Sequence, residues 1–300
     1  MPLIRHIFTA TDLSDNALPA VDRGFELAAA TGARLTLMHA AGVDALAMLR
    51  GLLGGQTDDI SRQVLTQRRE ALEAAARDRA RHQDVDVTLL VEPGRPASVV
   101  PARVAESGAD LAVVGARGEG SLRRLVVGST ASRLLRQSRC PVLLVKNPDY
   151  RPYRRVLVPV DFSPGSALAI RLARELAPGA DLVLLHVFTT PFEGVLRNAG
   201  ISPETVDQYR SEARERAQQQ LRALAVQTGL EPDRHTPLAL AGDTVGVIIG
   251  EQERLGCDLI AMGKHGTNVT TELLLGSVTQ RVLSESDADV LVVVNKQPAP

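Results

Sequence analysis

Tryptophan is absent from this sequence, and aromatic residues make up only 3% of it. A core must therefore be built from leucine, valine and alanine. Cysteine occurs only at Cys140 and Cys257, with no CxxC spacing. That argues against a disulfide framework and a zinc site. Both cysteines flank strand-like runs and read as small core residues. No apolar run reaches the roughly 18 residues of a membrane span. The opening MPLIRHIFTATDLSD lacks the charged and apolar regions of a signal peptide, so a cytoplasmic protein is expected. Charge is not in surplus either. The formal net charge is −1, which argues against bulk nucleic-acid binding. Lysine is scarce, outnumbered by arginine 31 to 3.

What is present is a globular composition, 44% apolar and 23% charged over 300 residues. That length suits two ordinary domains. A shift of about 148 residues lays the chain on itself. HIFTATDLSDNAL, around Asp12, matches VLVPVDFSPGSAL, around Asp161. RLTLMHA matches DLVLLHV, GADLAVVGARG matches GCDLIAMGKHG, and CPVLLVKN matches ADVLVVVNK. A repeat this long means duplicated domains and not a solenoid. NPDYRPYRR, with its two prolines and cluster of arginines, reads as the linker. The expected domains are 1–147 and 151–300.

Within each half, short apolar runs alternate with segments of helical periodicity. Long helices are expected near 57–83 and 202–229. A further helix over PASVVPARVAESG is expected to be started or interrupted by Pro101. This alternation predicts an α/β fold of two tandem doubly wound domains, each a parallel sheet with helices on both faces. Ligands of such sheets bind beyond the carboxyl ends of the strands.

Two loops leave the fourth strand of each half with the same skeleton. GARGEGSLRRLVVGS begins at Gly115, and GKHGTNVTTELLLGS begins at Gly263. Both read G-x2-G-x9-G-S and lead into a helix. Glycines there let backbone N–H groups approach an anion and permit positive φ. The helix start adds unpaired N–H groups and a partial positive charge. The expected result is a phosphate cradle in each half. Ser129 and Ser277 fit either a helix cap or a phosphate contact. The spacing is not Walker A, nor the dinucleotide pattern GxGxxG.

These loops, following an aspartate that closes the first strand, resemble the ATP-binding class of the universal stress protein family over nearly the whole chain. The resemblance implies a five-stranded sheet of order 3-2-1-4-5 in each domain and adenine-nucleotide binding, ATP above all, with Mg²⁺ carried by the bound nucleotide. It matches Gly115, Gly118, Gly128 and Ser129, and Gly263, Gly266, Gly276 and Ser277, to the phosphate loops. Asp12 and Asp161 match the acid beside the nucleoside. Ala40 and Val187 match the second-strand position whose backbone faces adenine. It also implies that the fifth-strand edges of the two domains pair within the chain; further homo-oligomers stay open, and no protein partner is named.

Arg117 adds positive charge to the first loop, as do Arg123 and Arg124 against Glu119. The second loop sets Lys264 and His265 against Glu272. Tighter triphosphate binding is therefore expected in the first half. Asp12 also fits a local cap with Ser14 and Asp15. His39 and His186 lack a nearby second metal ligand and read as structural. The apolar segment 42–55 fits packing on its own domain, a lid, a partner surface or a lipid contact. The function that best fits is a nucleotide-binding stress-response regulator. The alternatives are an enzyme hydrolysing ATP or transferring its phosphoryl group slowly, without an evident catalytic base, and a scaffold with structural or no nucleotide.

Overall fold

The computed structural model describes residues 2–42, 57–116, 127–148, 151–189, 202–266 and 274–294, leaving aside the side chains of 57–61 and 78–83. Residues 43–55 of the apolar segment lie outside these, as do Arg117, Gly118, Glu119, Arg123, Arg124 and Glu272.

The first half runs β1 (His6–Thr11), α1 (Leu18–Thr31), β2 (Arg34–Ala41), α2 (Thr57–Gln83), β3 (Val87–Pro93), α3 (Pro96–Ser107), β4 (Leu111–Gly115), α4 (Ser129–Gln137) and β5 (Val142–Val145). The second half repeats the order with β6 (Arg155–Pro159), α5 (Pro164–Leu176), β7 (Asp181–Phe188), α6 (Pro203–Gln227), β8 (His235–Ala241), α7 (Thr244–Leu255), β9 (Leu259–Gly263), α8 (Ser277–Glu285) and β10 (Asp289–Val293). Helix α3 passes through Pro101 unbroken. The expected interruption does not occur: Pro96 starts the helix and the buried Pro101 ring joins its packed face. The lost N–H costs one ladder bond, and the buried ring offsets part of that.

The strands form one ten-stranded sheet in the order β3-β2-β1-β4-β5-β10-β9-β6-β7-β8. Neighbours within each half are parallel. Strands β5 and β10 join the halves antiparallel, with Leu143 opposite Leu291. Each half thereby covers the other's open edge, which would otherwise expose unpaired backbone groups.

Alternate strand residues feed two core layers. Ile7, Leu111, Val113, Leu291 and Val293 face one side, with α1, α2, α5 and α6. Phe8, Ala112, Val114, Val290 and Val292 face the other, with α3, α4, α7 and α8. This is the period of two expected of strands buried on both faces. Each layer contains residues of both halves, so the two units share their cores. Cys140 and Cys257 are buried within the second layer and are not joined in a disulfide.

This topology fixes where a site can lie. Strand β1 has β2 on one side and β4 on the other, and β6 stands likewise between β7 and β9. The connections leaving these strand ends diverge to opposite faces, which opens a crevice beyond their carboxyl ends.

Candidate functional site

The expected site residues that the structure describes lie at the carboxyl ends of these strands or at the starts of α4 and α8. Asp12 follows the last residue of β1, Ala40 lies one residue from the end of β2, and Gly115 ends β4. In register, Thr11 pairs with His39 and Ala10 with Val114, so the three positions are adjacent across the sheet. In the second half, Asp161 follows β6, Val187 is the penultimate residue of β7, and Gly263 ends β9.

Each loop is closed at its root by one backbone bond. Gly128 N–H donates to the Ala116 carbonyl at 2.9 Å, and Gly276 N–H to the Lys264 carbonyl at 3.0 Å. Ala116 and Lys264 are themselves anchored, their N–H groups donating to Val145 and Val293 in the fifth strands. The glycine spacing is thus the length of chain that leaves a strand and returns to the same point as a helix. Gly128 and Gly276 are the N-caps, and among the described residues no side chain caps either helix end. Ser129 and Ser277 are the first helical residues, so the serine-cap reading is corrected. With no such side chain, first-turn N–H groups of α4 and α8 stay available to an anion.

The reason for the glycines also differs from the expected one. None of Gly115, Gly128, Gly263, Gly266 and Gly276 has positive φ. At Gly263 and Gly266 what is required is space. A Cβ on Gly266 would lie 3.1 Å from Asp161 Oδ2, and one on Gly263 would lie 3.1 Å from the His265 carbonyl. Gly263 also passes close to Gly165 at the start of α5. The left-handed residues are Leu13, at φ 64°, and Phe162, at φ 61°, each directly after the site aspartate. Non-glycine residues in that region carry strain and gather at functional turns. The repeated Asp-x-Ser of DLSD and DFSP was the signal for this turn.

Both aspartates are built into it. Asp12 Oδ1 accepts the Ser14 N–H at 3.0 Å and its hydroxyl at 2.6 Å. Asp161 Oδ1 accepts the same pair from Ser163, plus the Ser166 hydroxyl at 2.7 Å. Ala17 stands where the second half has Ser166, so the first turn lacks that bond. Neither aspartate is the N-cap of the following helix, which is Ala17 for α1 and Ser163 for α5; each instead holds a local turn with the serine two residues on. In the second half, this turn leaves Oδ2 directed toward Gly266.

The paired histidines secure the same strand ends. His39 Nδ1 lies 3.0 Å from the Thr11 carbonyl, and His186 Nδ1 lies 2.7 Å from the Val160 carbonyl. Each carbonyl belongs to the residue before the aspartate. Burial holds the His39 imidazole below its usual range, which suits a neutral ring donating from Nδ1. Phe162 packs on the His186 ring with centroids 4.5 Å apart. Among the described residues no three His, Cys, Asp or Glu side chains are grouped to hold a metal ion.

The two loops are not held alike. Thr279, buried in α8, donates its hydroxyl to the Gly263 carbonyl at 3.0 Å; Ala131 stands at the matching place in α4. Lys264, which sequence reasoning counted as loop charge, is buried, and its ammonium donates to the Arg136 carbonyl of the first half at 2.6 Å.

The chain is similar to known proteins in both halves. The model of the universal stress protein family matches residues 3–146 and again residues 152–294. A universal stress protein of Mycolicibacterium smegmatis is 30% identical over 196 residues, 63% of this chain and 63% of that protein. The similarity therefore spans less than two thirds of that curated relative. Universal stress protein YxiE of Bacillus subtilis is 29% identical over 150 residues, covering all of that protein and 48% of this chain. A universal stress protein structure from Archaeoglobus fulgidus superposes with a TM-score of 0.64 at 19% identity, over 96% of this chain and 98% of that one. At that identity the likeness establishes the fold. Among the described residues no helix is long and apolar enough to cross a membrane.

Proposed function

The chain belongs to the universal stress protein family, and from that premise we propose that it is a cytoplasmic stress-response regulator holding one adenine nucleotide in each of two units, 1–147 and 151–300. ATP is the nucleotide that the resemblance of the two loops to ATP-binding members implies. One observation carries the reading: two helices, α4 and α8, start at glycine N-caps with no side-chain cap among the described residues, each beside a switch-point strand end. Unpaired N–H groups and the positive end of the helix dipole favour a phosphate there. Gly266 supports a fit in the second half, because a methyl group there would fill space beside Asp161. In this reading Asp12 and Asp161 face the nucleoside, Ala40 and Val187 present backbone to adenine, and Mg²⁺ arrives with the phosphates. Gly115, Gly118, Gly128, Ser129, Gly263, Gly266, Gly276 and Ser277 surround the phosphates, with Arg117 adding charge in the first half.

In this reading the nucleotide acts as a signal, with turnover at most slow. A scaffold role is the second reading. It is favoured by the antiparallel β5–β10 junction, which already gives the chain an extended two-unit surface.

Mass spectrometry of nucleotide released from freshly purified, heat-denatured protein tests the proposal. About two adenine nucleotides per chain is the expected result. No released nucleotide, together with no ATP uptake in titration, would overturn it and leave the scaffold.

A further inference from the structure

Lys264 stands at the root of the second loop. Its own N–H is held by the fifth strand and its carbonyl by Gly276. Its side chain is only 3% exposed and crosses to the first half, where Nζ donates to the Arg136 carbonyl at 2.6 Å. Arg136 lies in the last turn of α4, whose first residues form the start of the first half's cradle. One helix therefore meets one candidate site at each end: its N-terminal amides border the first, and its C-terminal carbonyl grips the root of the second. Ala116, at the matching position of the first loop, can make no such tie.

The physics gives this connection a sign. Helix α4 is nine residues long, below the roughly 12–15 residues at which a helix holds itself together in water. Its order rests on packing and on what its ends bind. An anion at the N-terminus and an ammonium at the C-terminus both complement the helix dipole. Each favours the ordered helix, so each lowers the cost of the other. A buried ammonium also depends on its acceptor, because an unpaired charge there is costly. Ordering α4 thus fixes Lys264, and with it the residue to which Gly276 is bonded.

We propose that Lys264 couples the two nucleotide sites, so that occupancy of either half raises the affinity of the other. The proposal rests on the adenine-nucleotide reading of both loops. Coupling of this kind is reciprocal by linkage, and about fivefold is the low end of the usual range.

A second cross-domain lysine makes the converse tie. Lys146, just beyond β5, donates to the Leu283 and Ser286 carbonyls at 2.8 and 2.5 Å, at the C-terminal end of α8. It binds the halves together from outside either loop.

The test is calorimetric titration of the full chain with ATP, using Asp12→Ala to weaken the first site without touching α4. In the otherwise native chain, Asp12→Ala is expected to lower second-site affinity by about fivefold. In a Lys264→Met background the second site should be indifferent to Asp12→Ala. Thermal unfolding of Lys264→Met should still show one cooperative transition, so that a loss of coupling is not a loss of fold. Hydrogen exchange gives a readout that needs no substitution at Lys264. With only the second site of Asp12→Ala loaded, amides of the last turn of α4 should gain protection. Sites that bind ATP independently in the native chain, or coupling that survives Lys264→Met, would overturn the proposal while leaving nucleotide binding intact. No ATP binding at either site would overturn both readings together, and the release measurement identifies that case.

Discussion

Tyr153, in the linker between the halves, donates its phenolic proton to Asp289 Oδ2 across 2.7 Å. Asp289 is fully buried in β10, and its Oδ1 accepts the backbone N–H groups of Lys146 and Asn147 at 2.8 and 3.0 Å. The guanidinium of Arg23, from α1, lies 4.0 Å over the Tyr153 ring and reaches Asp289 at 3.7 Å. Its Nη1 also donates to Glu26 and to the Arg151 carbonyl. Both halves and the linker thus meet on one buried carboxylate. Burial pushes Asp289 above the usual carboxylate range and Tyr153 well above the usual phenol range.

Tyr153→Phe should therefore destabilise the chain more than loss of an average hydroxyl. A typical hydrogen bond contributes about 1 kcal/mol net, whereas a buried acceptor left unsatisfied costs about 1–3 kcal/mol. The ring keeps its packing and its contact with Arg23, so the change isolates the bond. Urea denaturation should place the loss in the upper range, with the transition still cooperative across both halves. A loss under about 0.5 kcal/mol would mean that Asp289 is satisfied by its other partners.

Gly24 makes a different claim, one of space within the first half. A Cβ there would lie 2.2 Å from Thr9 Oγ1. Alanine ordinarily gains about 1 kcal/mol over glycine inside a helix, but overpacking a core costs about 1–3 kcal/mol. The clash should win, and Gly24→Ala should lower stability. Thr9 Oγ1 is itself buried with no hydrogen-bond partner among the described residues, so Thr9→Ala should cost little. In the Thr9→Ala background, Gly24→Ala should become neutral or stabilising. Thermal unfolding of the four proteins checks this reversal, and additive effects would contradict it.

Much of this architecture was legible because the repeat shows each signal twice. The strands were readable from continuous apolar runs and the long helices from their periodicity. Pro101 misled, because its ring finds a buried surface inside α3. The glycines at the loop roots do not have the positive φ expected of them, and Gly263 and Gly266 are needed for clearance. Clearance depends on what packs opposite, as Asp161 does to Gly266, and no local spacing reveals that. The strained positions proved to be Leu13 and Phe162, whose residue types gave no hint. Lys264 and Asp289 were misjudged or missed for one reason. Their partners lie across the junction of the halves, more than a hundred residues away in the chain.

A buried thiol between α7 and β9 also ties stability to alkaline pH. Cys257 is 3% exposed, and burial pushes its thiol up to about 11. The folded value exceeds the unfolded one, so the stabilisation is complete below pH 9.0 and is lost as pH rises towards about 11. Wild type and Cys257→Ala should therefore have a constant stability difference up to about pH 9, with wild type losing ground above it. Comparing the two cancels the titration of other groups. Parallel stability curves through pH 11 would show that the thiol does not ionise with this penalty. The same burial predicts that native Cys257 resists thiol reagents at pH 8 and reacts only on unfolding.

Gly266→Ala separates ligand effects from folding effects, because its clash is in the candidate site and not in the core. The added methyl would lie 3.1 Å from Asp161 Oδ2. Asp161 cannot simply withdraw, since its Oδ1 accepts bonds from Ser163 and Ser166. The residue itself is exposed, with ordinary backbone angles, so the melting temperature of the nucleotide-free chain should hardly change. ATP affinity of the second half should fall by about tenfold, a difference of about 1.4 kcal/mol. The first half should be affected far less, through its coupling alone. Calorimetric titration resolves the two sites, and an unchanged second site would mean that the space beside Asp161 is not where the nucleotide sits. A drop in melting temperature without any change in binding would instead make Gly266 a packing residue of the β6–β9 end.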